Sequence, residues 1–266
     1  MKEFLKDYGT LIIAVYGVIQ VWIIAIYKKF FRKGKLSIYR SGKIELGHSN
    51  FGPTMGINGT IVAVDRDVFV SNILLKVKRL QDNSIHIFYW TTFRPPVINI
   101  RNPELVTLEL PSGFIVKPDS PHRYNIFFSD RIVQEELAPF LTTLQQEWSR
   151  FLIDKNLHIQ GLIKTGETYQ SVLERLFYAD FSKTSQSSAQ AWDVLRRKVF
   201  WEAGEYVATM EVYTDRPVRI FKDEWGFSVD SVSFENFRIN AVATIREICL
   251  REAHYNFAYL DYKDAG

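Results

Sequence analysis

Between Gly9 and Tyr27 the chain reads GTLIIAVYGVIQVWIIAIY, nineteen residues with no charge and with Gln20 as the one strongly polar side chain. As a helix that run is about 28 Å long, near the roughly 30 Å hydrocarbon core of a bilayer. The flanks agree. Tyr8, Trp22 and Tyr27 lie at or towards its ends, where amphipathic rings favour headgroups. A basic stretch, KKFFRKGK, follows directly, the pattern of a stop-transfer segment. The run predicts a transmembrane helix over 9–27, anchored by Gly9, Trp22 and Tyr27, after a short external tail at 1–8.

Charge sets the expected direction. Before the run, Lys2 and Lys6 are balanced by Glu3 and Asp7. After it, Lys28, Lys29, Arg32, Lys33 and Lys35 meet no acid. The positive-inside rule places a basic juxtamembrane segment, 28–35, and everything beyond it in the cytoplasm of a plasma (inner) membrane, single-pass. The five cations serve as topology signals and as contacts for anionic lipid headgroups. Residues 1–35 carry a net charge of +5 against +3 for the whole chain, so the remainder is mildly acidic. That balance argues against a dedicated nucleic-acid-binding domain. A single cysteine, Cys249, excludes a disulfide framework and any multi-cysteine metal site.

Residues 36–266 predict one cytosolic α+β body. Its first part, 36–130, is β-rich, with runs such as Val68–Leu80 and Ser84–Phe93 full of Val, Ile, Phe, Tyr and Trp and bounded by turn residues. The middle, 131–203, is helical: Leu137, Leu141, Leu144 and Trp148 recur on one face, and Glu167–Phe181 and the segment from Trp192 supply two more helices. The polar stretch KTSQSSAQ, Lys183–Gln190, reads as a mobile loop. A β-hairpin and a C-terminal helix over about Ser233–Glu252, with Cys249 on its buried face, fill 204–266. The expected architecture is a β-sandwich-like body with a helical insertion and a C-terminal helix. Two domains divided near residue 131 are the alternative.

The stretches SNFGPTMGINGT with DVFV, SIHIFYWTTFR, and ENFRINAVATIREIC with NFAYLDY resemble a group of bacterial single-span membrane proteins. That resemblance implies a bacterial inner-membrane location. It implies no activity, cofactor or active residue.

Little in the chain spells out a reaction. His48, His86, His122, His158 and His254 show no HxH, HxxxH or HExxH spacing. The glycines of FGPTMGING lead into strand rather than helix, unlike a phosphate loop, and no GxSxG elbow occurs. No catalytic, cofactor-binding or metal-ligating residue is therefore assigned, and no cofactor is expected. His86 shares a strand parity with Phe88 and Trp90 and reads as a half-buried structural imidazole. Tyr89, Trp90, Phe93 and Arg94 form a candidate partner face, because Trp, Tyr and Arg dominate interface hot spots.

The sequence thus suggests a non-enzymatic, membrane-tethered cytosolic interaction module, the membrane component of a bacterial defence or signalling assembly. Its partners would be the membrane, anionic lipid and a protein or a second copy, with no nucleic acid. A membrane-surface hydrolase and an oligomeric channel subunit are the alternatives.

Overall fold

Strand β1 (Lys35–Ser49) and strand β2 (Gly52–Val64) form a long antiparallel pair whose register breaks between Ser41 and Glu45. Gly42, at φ 71°, occupies that break, a conformation that costs glycine little. Such an irregularity bends a strand and increases its twist. Further breaks, over Phe69–Asn72 in β3 (Val68–Arg79) and between Trp90 and Thr92 in β4 (Ile85–Phe93), act the same way. The computed structural model describes residues 15–24, 26, 34–93, 110–216, 218–252 and 254–264.

The remaining strands are β5 (Phe114–Val116), β6 (His122–Ser129), β7 (Gly204–Arg216), β8 (Val218–Val229) and β9 (Ala258–Leu260). They join one antiparallel sheet in the order β8-β7-β3-β4-β6-β2-β1-β9, with β5 paired to β3. The sheet curls until its two edges meet. Gly226 of β8 and Lys263, just beyond β9, exchange backbone hydrogen bonds of 2.9 and 2.8 Å. This corrects the expected sandwich: the strands belong to one curled sheet and not to two stacked ones. Both architectures bury alternate residues, so the alternation alone did not separate them.

Period-two burial fills the inside of the curl. Ile73, Leu75 and Val77 of β3 face Val212, Met210 and Ala208 of β7, and Trp225, Phe227 and Val229 follow on β8, all at or near zero exposure. Each fully buried side chain of this size contributes roughly 1.5–3 kcal/mol. The opposite face of β3, β7 and β8 is polar. There Glu211 meets Lys76 and Lys222, each at 3.0 Å, and the Tyr213 hydroxyl at 2.7 Å. Tyr213 first, then the two lysines, hold the Glu211 carboxyl down to about 2.

The helices between β6 and β7 form a second core. Helix α2 (Arg131–Asp154) buries Val133, Leu137, Leu141, Leu144 and Trp148. Pro139 lies in its third turn, and the Thr143 hydroxyl donates to the Pro139 carbonyl at 2.9 Å. Helix α3 (Asn156–Lys164) follows, and α4 (Tyr169–Leu176) continues through a π turn, Phe177–Phe181, into the single turn α5 (Ser182–Thr184). Helix α6 (Gln186–Arg197) comes next. After β8, α7 (Ser231–Leu250) packs its Ala241, Ile245 and Cys249 into the same core. Burial pushes the Cys249 thiol up to about 12, which leaves it unreactive at neutral pH.

Two expectations need correction here. The stretch Lys183–Gln190 is helical over most of its length. Ser185 caps α6 by accepting from the Ser188 amide at 3.0 Å, and Ser185 and Ser187 both donate to Glu147 Oε2, at 3.0 and 2.7 Å. A serine-rich stretch suits a helix start as well as a loop. The second correction concerns the transmembrane span. Among the described residues no helix is long and apolar enough to cross a membrane. The N-terminal helix, α1, is described over residues 15–24, about 15 Å at 1.5 Å per residue, half of a bilayer core. The expected single-pass transmembrane architecture is withdrawn on that ground.

Candidate functional site

The outer end of β4 meets the start of α2 and the segment that leaves α6. A cleft of about 420 Å³ opens there, with His86, Asp130 and Phe200 on its wall. Asp130 is the N-cap of α2. Its Oδ1 accepts from the Ile132 and Val133 amides at 3.0 and 3.2 Å, which satisfies donors that the first turn leaves unpaired. Its Oδ2 lies 2.7 Å from His86 Nδ1, and the carboxylate is only 4% exposed. A carboxylate accepts only, so Nδ1 donates. In the neutral ring the lone pair then sits on Nε2. Phe200 stacks on the imidazole at a centroid distance of 4.0 Å and fixes its plane.

Charged pairs surround this dyad. Arg79 holds Asp82 and, at 2.7 Å, Glu202; Lys198 holds Glu136; Arg197 holds Asp193. Ser84 is near in sequence, but its hydroxyl donates to Asp82 Oδ1 at 2.8 Å. The arrangement can relay a proton through His86. Among the described residues no hydroxyl nucleophile is hydrogen-bonded to the imidazole, as one is in acyl-transfer sites.

The other histidines separate by environment. His48 is buried to 1% exposure and desolvation lowers it to about 4, so it is neutral at pH 7; the Leu195 backbone lies near the ring without hydrogen-bond geometry. His122 is also lowered by burial and stacks on Phe114 at 4.1 Å. Among the described residues no group of three or more His, Cys, Asp or Glu is placed to hold a metal ion.

The residues singled out from sequence fall in three places. Gly9, Tyr27, Lys28, Lys29, Arg32, Lys33 and Arg94 lie outside the described residues. Trp22 is 65% exposed on α1, and Lys35 is exposed at the start of β1. Tyr89 is half-buried, whereas Trp90 and Phe93 turn into the curl, where their rings meet edge-to-face at 4.5 Å. The register break between Trp90 and Thr92 puts these two rings on one side of β4, away from Tyr89. Asp130 and Phe200 were not found from sequence. An aspartate before an amphipathic helix signals a cap, and nothing local ties it to a histidine 44 positions earlier.

Comparison with protein families, with curated proteins and with solved structures found no match.

Proposed function

We propose that this chain is a binding module that works at a lipid surface, held there by the exposed apolar surface of α1, and that it displays its curled sheet and helices to partners. One observation carries the reading. Val15, Tyr16, Val18, Ile19, Val21, Trp22, Ile23 and Ile24 are each between 45% and 68% exposed, whereas the apolar side chains inside the sheet are buried. An apolar patch of this kind marks an interaction site with lipid or protein. Lipid is favoured because five uncompensated cations, Lys28 to Lys35, follow in the sequence, each worth roughly 1 kcal/mol near an anionic surface. Flotation of the full chain with phosphatidylcholine/phosphatidylglycerol vesicles tests it. The chain should float with the vesicles, and a Val18→Glu/Ile23→Glu variant should remain at the bottom of the gradient. Equal behaviour of the two would contradict the reading.

A second reading, a membrane-surface enzyme, is favoured by the His86–Asp130 pair alone. A screen of chromogenic esters and phosphoesters tests it, with His86→Gln as the control. Turnover lost in a folded His86→Gln protein would favour the enzyme, since acid–base groups typically contribute about 10²- to 10⁴-fold.

A further inference from the structure

Where the two edges of the curled sheet approach one another, the seam is only partly filled. Strands β1 and β8 run parallel, because six antiparallel pairings separate them. A strand between them must therefore run antiparallel to both. The chain supplies the first part of one. Ala258–Leu260 pairs antiparallel with residues 44–46 of β1, and Lys263 exchanges backbone hydrogen bonds with Gly226 of β8. The segment 258–263 thus crosses from one edge to the other, so the gap is one strand wide at that height.

Past Lys263 the gap holds no strand among the described residues. There β8 pairs only with β7, over residues 218–224, and β1 only with β2, over residues 35–41. Alternate residues of an antiparallel strand send N–H and C=O to the same side. Gly226 sends its pair to Lys263, and the β7–β8 register is unbroken from Val229 to Val218. Ile220, Lys222 and Glu224 therefore send theirs into the gap as well. Val218 and Ile220 are 85% and 52% exposed, and an edge of that kind is a template for another strand. Across the gap Arg40 Nε lies 3.1 Å from Asp223 Oδ2, so the two edges stay within side-chain reach. This pair turns inward: the guanidinium is 5.4 Å from the ring centroid of the buried Trp225. In line with the crossing segment, a cleft of about 350 Å³ opens between Ile38, Tyr39 and Arg40 of β1 and Tyr262, Lys263 and Asp264.

We infer that this gap binds an extended peptide from a partner protein, laid antiparallel to β1 and β8 along the line that residues 258–263 begin. Strand addition of this kind takes its affinity from main-chain hydrogen bonds and its specificity from alternate side chains. Ile220 and Lys222 supply main-chain groups. Ile38 and Phe221, both half-buried against the sheet core, call for apolar side chains at the inward positions of the peptide. The Arg40–Asp223 pair calls for a small residue beside it, since each charge already has its counterion. A second copy is the poorer occupant. Its β8 is fixed in its own curled sheet, and a gap one strand wide admits only a strand free on both edges. Peptide binding here needs nothing from α1, so it stands or falls independently of lipid attachment.

The test is amide hydrogen exchange on the ¹⁵N-labelled full chain. Without peptide, the Ile220 and Lys222 amides should exchange at least about tenfold faster than those of Arg219 and Phe221, which face β7. A segment of about six alternating threonines and valines, a usual strand length, is then appended after Gly266 through a Gly-Ser linker. Tethering raises its local concentration to the millimolar range. Ile220 and Lys222 should slow at least about tenfold, and by more than Arg219 and Phe221, whereas a Gly-Ser extension of equal length should slow neither. The same Thr-Val segment as a free peptide should shift the two amide resonances saturably, and its N-methylated form should not. Ile220 and Lys222 amides as protected as their neighbours before any peptide is added would overturn the proposal. So would slowing that does not favour these two positions, or a free peptide that gives no saturable shift at millimolar concentration. Protection that grows with protein concentration, alongside a dimer in light scattering, would assign the edge to a second copy and overturn it too.

Discussion

His86 Nδ1 and Asp130 Oδ2 lie 2.7 Å apart, and through that contact the rim of the sheet is fastened to the cap of helix α2. One carboxylate thus serves two elements at once, two backbone amides on one oxygen and an imidazole on the other. Asp130→Ala should lower stability by about 2 kcal/mol, the upper part of the range for a lost cap. Asp130→Ser, which restores the cap and not the imidazole contact, should recover roughly half. Urea unfolding of the three proteins measures the difference, and identical losses in both variants would show that the imidazole contact carries the effect.

His48 predicts a pH dependence with a definite sign. Its folded value is about 4 against 6.5 for a free histidine, because burial disfavours the charged ring. Between those values the unfolded chain binds the proton and the folded chain does not. Stability therefore falls as pH drops from about 6.5 towards 4, by roughly 3 kcal/mol across the window, and is unaffected by this group above it. In His48→Leu the fall over that window should be smaller by a comparable amount. Parallel pH profiles of the two proteins would contradict the assignment.

Gly59 gives a sterically simple case. Gly59→Ala drives a methyl into the Tyr39 carbonyl and the Tyr124 hydroxyl, and overpacking of this kind typically costs 1–3 kcal/mol. The double variant Gly59→Ala/Tyr124→Phe should recover only a small part of that loss, since the ring carbon that carried the hydroxyl and the Tyr39 carbonyl both still crowd the new methyl. Thermal unfolding of the two variants checks it, and full recovery in the double variant would contradict it.

Much of the body was legible in the sequence because its patterns are local. Leu137, Leu141, Leu144 and Trp148 recur at helical spacing and are the buried face of α2. The runs Val68–Leu80 and Ser84–Phe93 became β3 and β4, with burial alternating along the first. What escaped was long-range or disguised by a local irregularity. Strand β1 loses its period at the Ser41–Glu45 break, and its alternation did not show. The closure between Gly226 and Lys263 depends on how far the sheet curls, which no single strand encodes. The candidate site shares that difficulty. His86 drew notice from its parity, but its partner lies on another element, and Arg40, Asp223 and Tyr262 converge only once three separate segments are in register. The transmembrane expectation rested on hydropathy over 9–27, and the helix described there covers 15–24.

Trp22 reports directly on the seating of α1 in lipid, because it is 65% exposed on that helix. The measurement is tryptophan fluorescence of the full chain on vesicles with brominated acyl chains, with Trp22→Phe as reference. Bromine quenches only rings that enter the acyl region. If α1 enters the acyl region, the parent is markedly quenched and the quenching disappears in Trp22→Phe, with emission from the five other tryptophans unchanged. Quenching that is absent, or equal in both proteins, would contradict it.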